Sequence, residues 1–341
     1  MRMNILLELD GIEKRFRLRG TGSEIQALRG VSLKVHEGET LGIVGESGCG
    51  KSTLARVLMR LVAPSAGSIV FEGTDMTHLS EAQLRPIRRR MQMVFQDPFA
   101  SLDPRMTVGQ QIEEPLLIHR VGDKPARRAR VAELLGMVGL DPQAAGRYPH
   151  EFSGGQRQRI CIARAVALEP RLLVCDEAVS ALDVSVQSQI LNLISELRTV
   201  LGLTCIFIAH DLTVVKYISD TVMVMYLGKA VEIGPVDAIF SNPLHPYTQA
   251  LLAAIPVPDP DAPRNARPLD GELPSPERPP GGCAFHPRCP FAMDVCRAQE
   301  PGLSAPAAAA GVAHRVACHL HADGHEASLA ERPSGGVTAL V

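Results

Sequence analysis

Leu41-Gly42-Ile43-Val44-Gly45-Glu46-Ser47-Gly48-Cys49-Gly50-Lys51-Ser52-Thr53 is the stretch from which the fold is read. A short apolar run, Leu41 to Val44, gives way to the pattern G-x-x-x-x-G-K-[ST] at Gly45 to Ser52, with a helix expected to begin near Lys51. Strand, glycine loop and helix in that order are the setting in which this pattern binds phosphate. The glycines let successive backbone N–H groups turn toward phosphate oxygens. Lys51 can reach the β and γ phosphates, Ser52 offers its hydroxyl to Mg²⁺, and the helix N-terminus adds its dipole. Gly45, Ser47, Gly48, Cys49, Gly50, Lys51, Ser52 and Thr53 are therefore candidate nucleotide-binding residues. A glycine-rich turn without a ligand is the competing explanation, and the flanking strand and helix count against it.

Further along, Leu172-Leu173-Val174-Cys175-Asp176-Glu177 is an apolar run that delivers two carboxylates to its carboxyl end. Asp176 can hold Mg²⁺, usually through water, and Glu177 can polarise an attacking water. Cys205 to Ala209 is a third such run. Runs of this kind suit strands buried on both faces of a mostly parallel sheet. Between the last two, Val186 to Leu201 places Ile190, Leu191, Ile194 and Leu197 on one helical face. The expectation is an α/β fold with its ligand site at the carboxyl ends of the strands. Thr221 to Tyr226 and Ala230 to Ile233, around Leu227-Gly228-Lys229, are expected to form a hairpin.

Composition narrows the class. The 341 residues carry 35 Lys+Arg against 37 Asp+Glu, a formal charge of −2, which calls for neither nucleic acid nor an anionic lipid surface. No stretch approaches the roughly 18 apolar residues of a membrane-spanning helix, and the start reaches Glu8 too soon for a secretory leader. A cytoplasmic chain is expected, with its 8 cysteines reduced and available for ligation or packing. Cys49, Cys161, Cys175 and Cys205 are scattered, whereas Cys283, Cys289, Cys296 and Cys318 crowd toward the end. The expected organisation is a nucleotide-binding domain over 1–255, a Pro-rich linker over 256–281, a Cys-rich extension over 282–321 and a flexible tail over 322–341.

Between the phosphate loop and the Asp176-Glu177 pair lies Phe152-Ser153-Gly154-Gly155-Gln156-Arg157-Gln158-Arg159. Ser153 is a good helix N-cap, and Gly154-Gly155 leaves bare amides at a helix start. With this segment the chain resembles the ATP-binding-cassette (ABC) ATPases, whose signature is usually Leu-Ser-Gly-Gly-Gln; Phe152 stands in the Leu position. Gln96 resembles the family's Q-loop glutamine, Ser180-Ala181-Leu182-Asp183 its D-loop and His210 its switch histidine, while Phe16 is the candidate for stacking on adenine. The resemblance covers about residues 4–250. It implies a P-loop NTPase fold with a mostly parallel core sheet, an N-terminal antiparallel β subdomain and a helical subdomain at about 97–164. It also implies that Lys51, Gln96, Glu177 and His210 carry hydrolysis of ATP, with Mg²⁺ held through Ser52, Gln96 and Asp176. Ser153, Gly154, Gly155 and Gln156, with Asp183, would then engage the ATP of a second cassette paired head to tail.

Four stretches narrow the resemblance to the ATPase subunits of oligopeptide and dipeptide importers, a branch that includes nickel importers: Gly45 to Gly50, Phe95 to Pro104, Cys175 to Ser185 and His245-Pro246-Tyr247-Thr248-Gln249. The branch implies two transmembrane permease subunits, a second related or identical ATPase subunit, an extracytoplasmic solute-binding protein, and a peripheral place on the cytoplasmic face of the inner membrane. Five, six and twenty-one residues separate Cys283, Cys289, Cys296 and Cys318. Four thiolates can ligate a [4Fe-4S] cluster or Zn²⁺; the tight C-x2-4-C pairs usual for zinc are absent, so the spacing leans toward iron–sulfur. The branch leans the same way. Zinc and unligated thiols remain alternatives, and His286, His314, His319 and His321 are near enough in sequence to replace a cysteine ligand. The alternative overall function is a soluble ABC ATPase coupled to a nucleoprotein in translation or DNA repair. Against it stand the single cassette and the short separation of Lys51 from Ser153, which leaves no room for a long coiled coil.

Overall fold

The structure is a computed structural model that describes residues 4–17, 20, 23–255, 273–306 and 313–321. The chain opens with two long antiparallel strands, Ile5–Arg17 (β1) and Glu24–His36 (β2). Thr40–Val44 (β3) comes next, and the phosphate loop leads into Lys51–Leu58 (α1). Ala66–Phe71 (β4) and Thr74–Asp75 (β5) join the first pair in a four-stranded antiparallel sheet of order β2-β1-β4-β5. Glu81–Arg88 (α2) and Met91–Val94 (β6) lead to a run of helices, Pro98–Ser101 (α3), Val108–Ile118 (α4), Lys124–Met137 (α5) and Gly154–Val166 (α6). Strands and helices then alternate through Leu172–Asp176 (β7), Val184–Leu201 (α7), Thr204–Ile208 (β8), Leu212–Ile218 (α8), Thr221–Tyr226 (β9) and Lys229–Pro235 (β10). Short helices Val236–Ser241 (α9), Pro246–Ala253 (α10) and Asp294–Ala298 (α11) and the strand Arg315–Val316 (β11) complete the described elements.

The second sheet has seven strands in the order β11-β10-β9-β3-β8-β7-β6. Pairing is parallel from β9 through β3, β8 and β7 to β6, and antiparallel where β10 and β11 are added at one edge. β3, β7 and β8 are buried at every position, which is why their sequences show no polar alternation. Alternate residues nevertheless feed different cores. Leu173, Cys175 and Phe207 pack with Ile112 of α4, Leu134 of α5 and Ile190 of α7, whereas Leu172, Val174 and Ile206 pack with Leu9 of β1, Leu54 of α1 and Ile69 of β4. The sheet is thus covered by helices on one face and by α1 with the small antiparallel sheet on the other. Cys161, Cys175 and Cys205 are buried among these apolar side chains, with thiols pushed up mainly by burial. Among the described residues no helix is long and apolar enough to cross a membrane.

Local signals end the helices where expected. Thr107 opens α4 in a capping box with Gln110, and Asp123 caps α5 through the Ala126 N–H. Gly202 closes α7 at φ 63°. The Cys-bearing segment folds against the rest of the chain. β11 pairs with the outer edge of β10, Glu232 opposite Val316 and Ile233 opposite Arg315. Phe285, 1% exposed, packs its ring against Tyr226, Tyr247 and His245 at centroid distances of 5.3, 5.4 and 5.6 Å. The buried Glu232 carboxylate accepts the Leu244 and His245 N–H groups at 2.7 and 3.0 Å and lies 2.7 Å from His314 Nε2. Of the linker expected at 256–281, residues 256–272 fall outside the described residues, as does the tail expected at 322–341. The part of that linker beyond residue 272 is attached to the domain: the Gln26 N–H of β2 donates to the Pro276 carbonyl at 3.3 Å. Replacing Phe285 with Ala should therefore lower stability to chemical denaturation by about 3–5 kcal/mol. A loss near zero would contradict this packing.

Candidate functional site

β3 leaves the core at Val44, and the chain must turn at once. Gly45 adopts φ 153°, and a Cβ there would stand 2.2 Å from the Met225 carbonyl oxygen. Gly50, at φ 106°, could accept a Cβ no more easily, since it would lie 2.5 Å from the Ala27 carbonyl oxygen. Gly50 is also the N-cap of α1, and no side chain caps that helix, so its first amides are left for a ligand. Lys51 is 4% exposed, and its Nζ donates to the carbonyls of Gly45 at 2.8 Å and Glu46 at 3.1 Å, spanning the loop to which it belongs.

The loop is tied to the end of β7. Ser52 Oγ donates to Asp176 Oδ1 at 2.9 Å. Burial pushes the Asp176 carboxyl up, and the Ser52 hydroxyl pulls it partly back. A hydroxyl and a carboxylate this close, with little water, are the hard oxygen donors Mg²⁺ takes. Glu177 comes next at φ 49°, an uncommon conformation for a side chain of its size. Its Oε2 accepts from Gln96 Nε2 at 2.8 Å, and His210 Nδ1 lies 4.0 Å away. Gln96, Glu177 and His210 thus converge from just beyond the carboxyl ends of β6, β7 and β8, which are neighbouring parallel strands for β6–β7 and β7–β8.

Gln96 and Glu177 stand in the wall of a cavity of about 390 Å³ together with Phe16, Ser47, Lys51 and Thr53, whereas Asp176 and His210 do not line it. Phe16 is 38% exposed, with Lys14 Nζ 5.0 Å from its ring centroid. Gly48, Gly50 and Ser52 also line the cavity, whereas Gly45 and Cys49 do not. The Cys49 side chain, 1% exposed, belongs to the apolar core beneath the loop, and its carbonyl accepts the Gly228 N–H at 2.8 Å. The sequence did not single out Gln26 and Ala27 of β2, Leu227-Gly228 of the hairpin turn, or Pro276, yet all of them line the wall. Pro276 falls in the run read as linker, and nothing local marks it as a site residue.

Ser153, Gly154, Gly155, Gln156 and Asp183 lie off this wall. Ser153 Oγ accepts the Gln156 N–H at 3.4 Å while the Gln156 side chain accepts the Ser153 N–H at 3.0 Å, a capping box at the start of α6. Gly155 backs onto α7, where a Cβ would stand 2.5 Å from Val186 Cγ1. Asp183 precedes α7 without a side-chain capping bond.

Two of the four late cysteines are joined through the backbone. The Cys283 N–H donates to the Cys296 carbonyl at 2.8 Å, and Cys296 Sγ accepts the Met293 N–H at 3.5 Å. Burial, helped by Cys283, Cys289 and Cys296, pushes the Cys318 thiol up to about 12. Each nearby histidine has another partner: His286 the Cys283 carbonyl, His314 the Glu232 carboxylate, His319 the Gln299 carbonyl and His321 the Leu244 carbonyl. Among the described residues, no three or more His, Cys, Asp or Glu side chains are arranged as a metal-binding group.

Comparison with known proteins adds to this geometry. Residues 28–180 match the family described as ABC transporter, and residues 231–296 match that described as oligopeptide/dipeptide transporter, C-terminal region. The chain is 56% identical over 298 residues to a probable peptide ABC transporter ATP-binding protein, y4tS, of Sinorhizobium fredii, covering 87% of this chain and 83% of that one. It is 52% identical over 324 residues to the oligopeptide transport ATP-binding protein AppF of Bacillus subtilis, covering 93% and 97%. To OppF of Escherichia coli, which carries the same description, it is 49% identical over 324 residues, covering 92% and 96%. Among solved structures, a dimeric ATP-binding cassette, MJ0796, in a post-hydrolysis state bound to ADP and Pi superposes with a TM-score of 0.62 and 30% identity, covering 67% of this chain and 98% of that one.

The raised Asp176 carboxyl has a measurable consequence in nucleotide-free, Mg²⁺-free protein. An acid raised by burial stabilises the fold fully only below its unfolded value, and that contribution is lost as pH rises through its folded value. Asp176→Asn should therefore melt higher than the parent at neutral pH, with the difference shrinking as pH falls through the carboxylate range. Equal melting at every pH would contradict the burial.

Proposed function

The chain belongs to the ABC transporter ATP-binding proteins, on their oligopeptide/dipeptide branch, and from that membership we propose that its ATP hydrolysis drives import of oligopeptides, dipeptides or a related small solute. The observation that carries the chemistry is the place of Gln96 and Glu177, bonded to each other, in the cavity wall beside Lys51 and Ser52, with His210 Nδ1 4.0 Å from the Glu177 carboxylate. In the proposed reaction Phe16 supports the adenine, the amides of the Gly45–Thr53 loop hold the phosphates, and Lys51 leaves its carbonyl partners for the β and γ phosphates. Ser52, Asp176 and Gln96 would hold Mg²⁺, which supplies charge neutralisation at the phosphates when bound. Glu177 takes the proton of the attacking water, with Gln96 and His210 orienting that water in line with the leaving group.

The site is completed by a second cassette, related or identical. Ser153, Gly154, Gly155 and Gln156 cap a helix that lies off this chain's own cavity, which suits them to the ATP of a partner, a role Asp183 would share. The assembly would include two permease subunits in the membrane and, across it, a solute-binding protein. The chain would sit peripherally on the cytoplasmic face and take no nucleic acid. Exposed Phe99, Leu117 and Ile118, at 60%, 48% and 50%, place apolar surface on the helices at about 97–164, the part proposed to meet the permeases. A nucleoprotein-coupled ATPase is not favoured, since relatives matching nine-tenths of the chain are described as oligopeptide transport ATP-binding proteins.

The late cysteines are proposed to carry a [4Fe-4S] cluster, with zinc the alternative. Four thiols in one short segment are the soft donors such a group takes, which is what supports this reading although the described residues are not arranged as a metal-binding group; a bound cluster would cross-link the segment. Cys289→Ser should lower iron per chain and bleach the visible absorption while ATP binding persists; unchanged iron would contradict the assignment. The function itself is tested by Glu177→Gln. This variant should keep ATP affinity, accumulate an ATP-bound dimer on size exclusion, and lose about 10²–10⁴-fold in turnover. Unimpaired turnover would refute the assignment of Glu177, and a parent that recovers ribosomes or DNA in place of permeases would refute the transport role.

A further inference from the structure

Arg288 belongs to none of the motifs above. It ends the single turn His286–Arg288, immediately before Cys289. Its guanidinium reaches the phosphate loop and grips Glu46 with two parallel bonds, Nη1 to Oε2 at 2.7 Å and Nη2 to Oε1 at 3.0 Å. The Arg288 side chain is 6% exposed and that of Glu46 27%. Forked pairing at such low exposure is the strong form of an ion pair, and Lys could not reproduce its geometry. Tyr226 lies under the guanidinium with its ring centroid at 6.0 Å, and its ring packs against Tyr247 at 4.7 Å. Tyr247 Oη in turn accepts the Glu46 N–H at 2.8 Å, while the Glu46 carbonyl accepts from Lys51 Nζ at 3.1 Å. Amide, carbonyl and carboxylate of this one loop residue are therefore all tied.

Glu46 is the second residue of a loop whose task is to receive a triphosphate. An unpaired carboxylate at that place, screened by little water, would oppose the binding of a polyanion. We infer that Arg288 is a positioning residue of the nucleotide site: it offsets the Glu46 charge where the triphosphate arrives, so that the Cys-bearing segment is part of the nucleotide-binding machinery. The inference rests on the reading that this loop binds ATP.

Full-length parent, Arg288→Gln, Glu46→Gln, the double variant, Arg288→Lys and Lys51→Ala are compared by equilibrium dialysis with Mg·ATP, with iron content and melting temperature recorded for each. Arg288→Gln should weaken binding about tenfold, and Glu46→Gln should bind at least as well as the parent. The double variant should recover to within about threefold of the parent, because no loop charge remains to be offset. Arg288→Lys, which keeps the charge and gives a second route if Arg288→Gln folds poorly, should lose less than Arg288→Gln or than a destabilised protein would. A double variant as weak as Arg288→Gln would reduce Arg288 to a fold-supporting role and overturn the inference, as would an Arg288→Gln variant with unchanged affinity. Loss of affinity that tracks iron loss across the variants would overturn it as well, by assigning the effect to the cysteines. A parent that binds Mg·ATP no better than Lys51→Ala would defeat the underlying reading of the loop, an outcome distinct from those.

Discussion

Parallel pairing of β3, β8, β7 and β6 is the constraint on which the site depends. In that register Gly42 stands beside Phe207, Phe207 beside Cys175, and Cys175 beside Val94. Strands so aligned end level with one another, and both of their faces are sealed by apolar side chains. Polar groups can therefore emerge only at the ends. The phosphate loop, the Asp176-Glu177 pair, Gln96 and His210 appear on one edge because the sheet leaves them no other exit. The ligand meets loops whose roots are held by the most buried residues of the molecule.

That constraint also decides how much could be read from the sequence. The buried strands are legible because complete burial writes an uninterrupted apolar run, and the phosphate loop is legible because positions such as Gly45 and Gly50 tolerate no side chain. The grouping of Lys51, Ser52, Gln96 and Glu177 at one cavity arises from motifs that each end a strand. The elements run slightly past the expected bounds: α7 begins at Val184, two residues before the apolar periodicity is visible, and β10 begins at Lys229. Pairing between distant segments is what the sequence hides. β11 is two residues long, Phe285 is one of two phenylalanines in a stretch rich in Pro and Gly, and Arg288 resembles any surface arginine until its distance from Glu46 is known. Local composition carries no trace of such partners, since each is selected by the surface it meets.

The seam beneath the Cys-bearing segment is unusual in being polar at its centre. Glu232 is fully buried and is satisfied by backbone amides and by His314, while burial lowers His245 to about 4 and keeps it neutral at physiological pH. His245 Nδ1 accepts the Tyr247 N–H at 3.0 Å, so the helix that presents Tyr247 to Glu46 starts from this seam. A polar core of this kind gives one docking geometry its hydrogen bonds and denies them to neighbouring ones. The segment is consequently held in register against the loop and cannot simply slide along an apolar surface.

One consequence of β11 concerns the molecule among its own copies. The outer edge of β10 would otherwise offer a row of unpaired peptide groups, a template on which a strand from another chain could form. β11 covers part of that edge, and its own exposed side is closed at Val316 by a bridge to Ser304. A two-residue strand ended by a single bridge is too short to recruit another. β11 and the Ser304 bridge therefore act as a stop on the sheet, and a chain lacking β11 would be exposed to sheet-to-sheet association even with its nucleotide site intact.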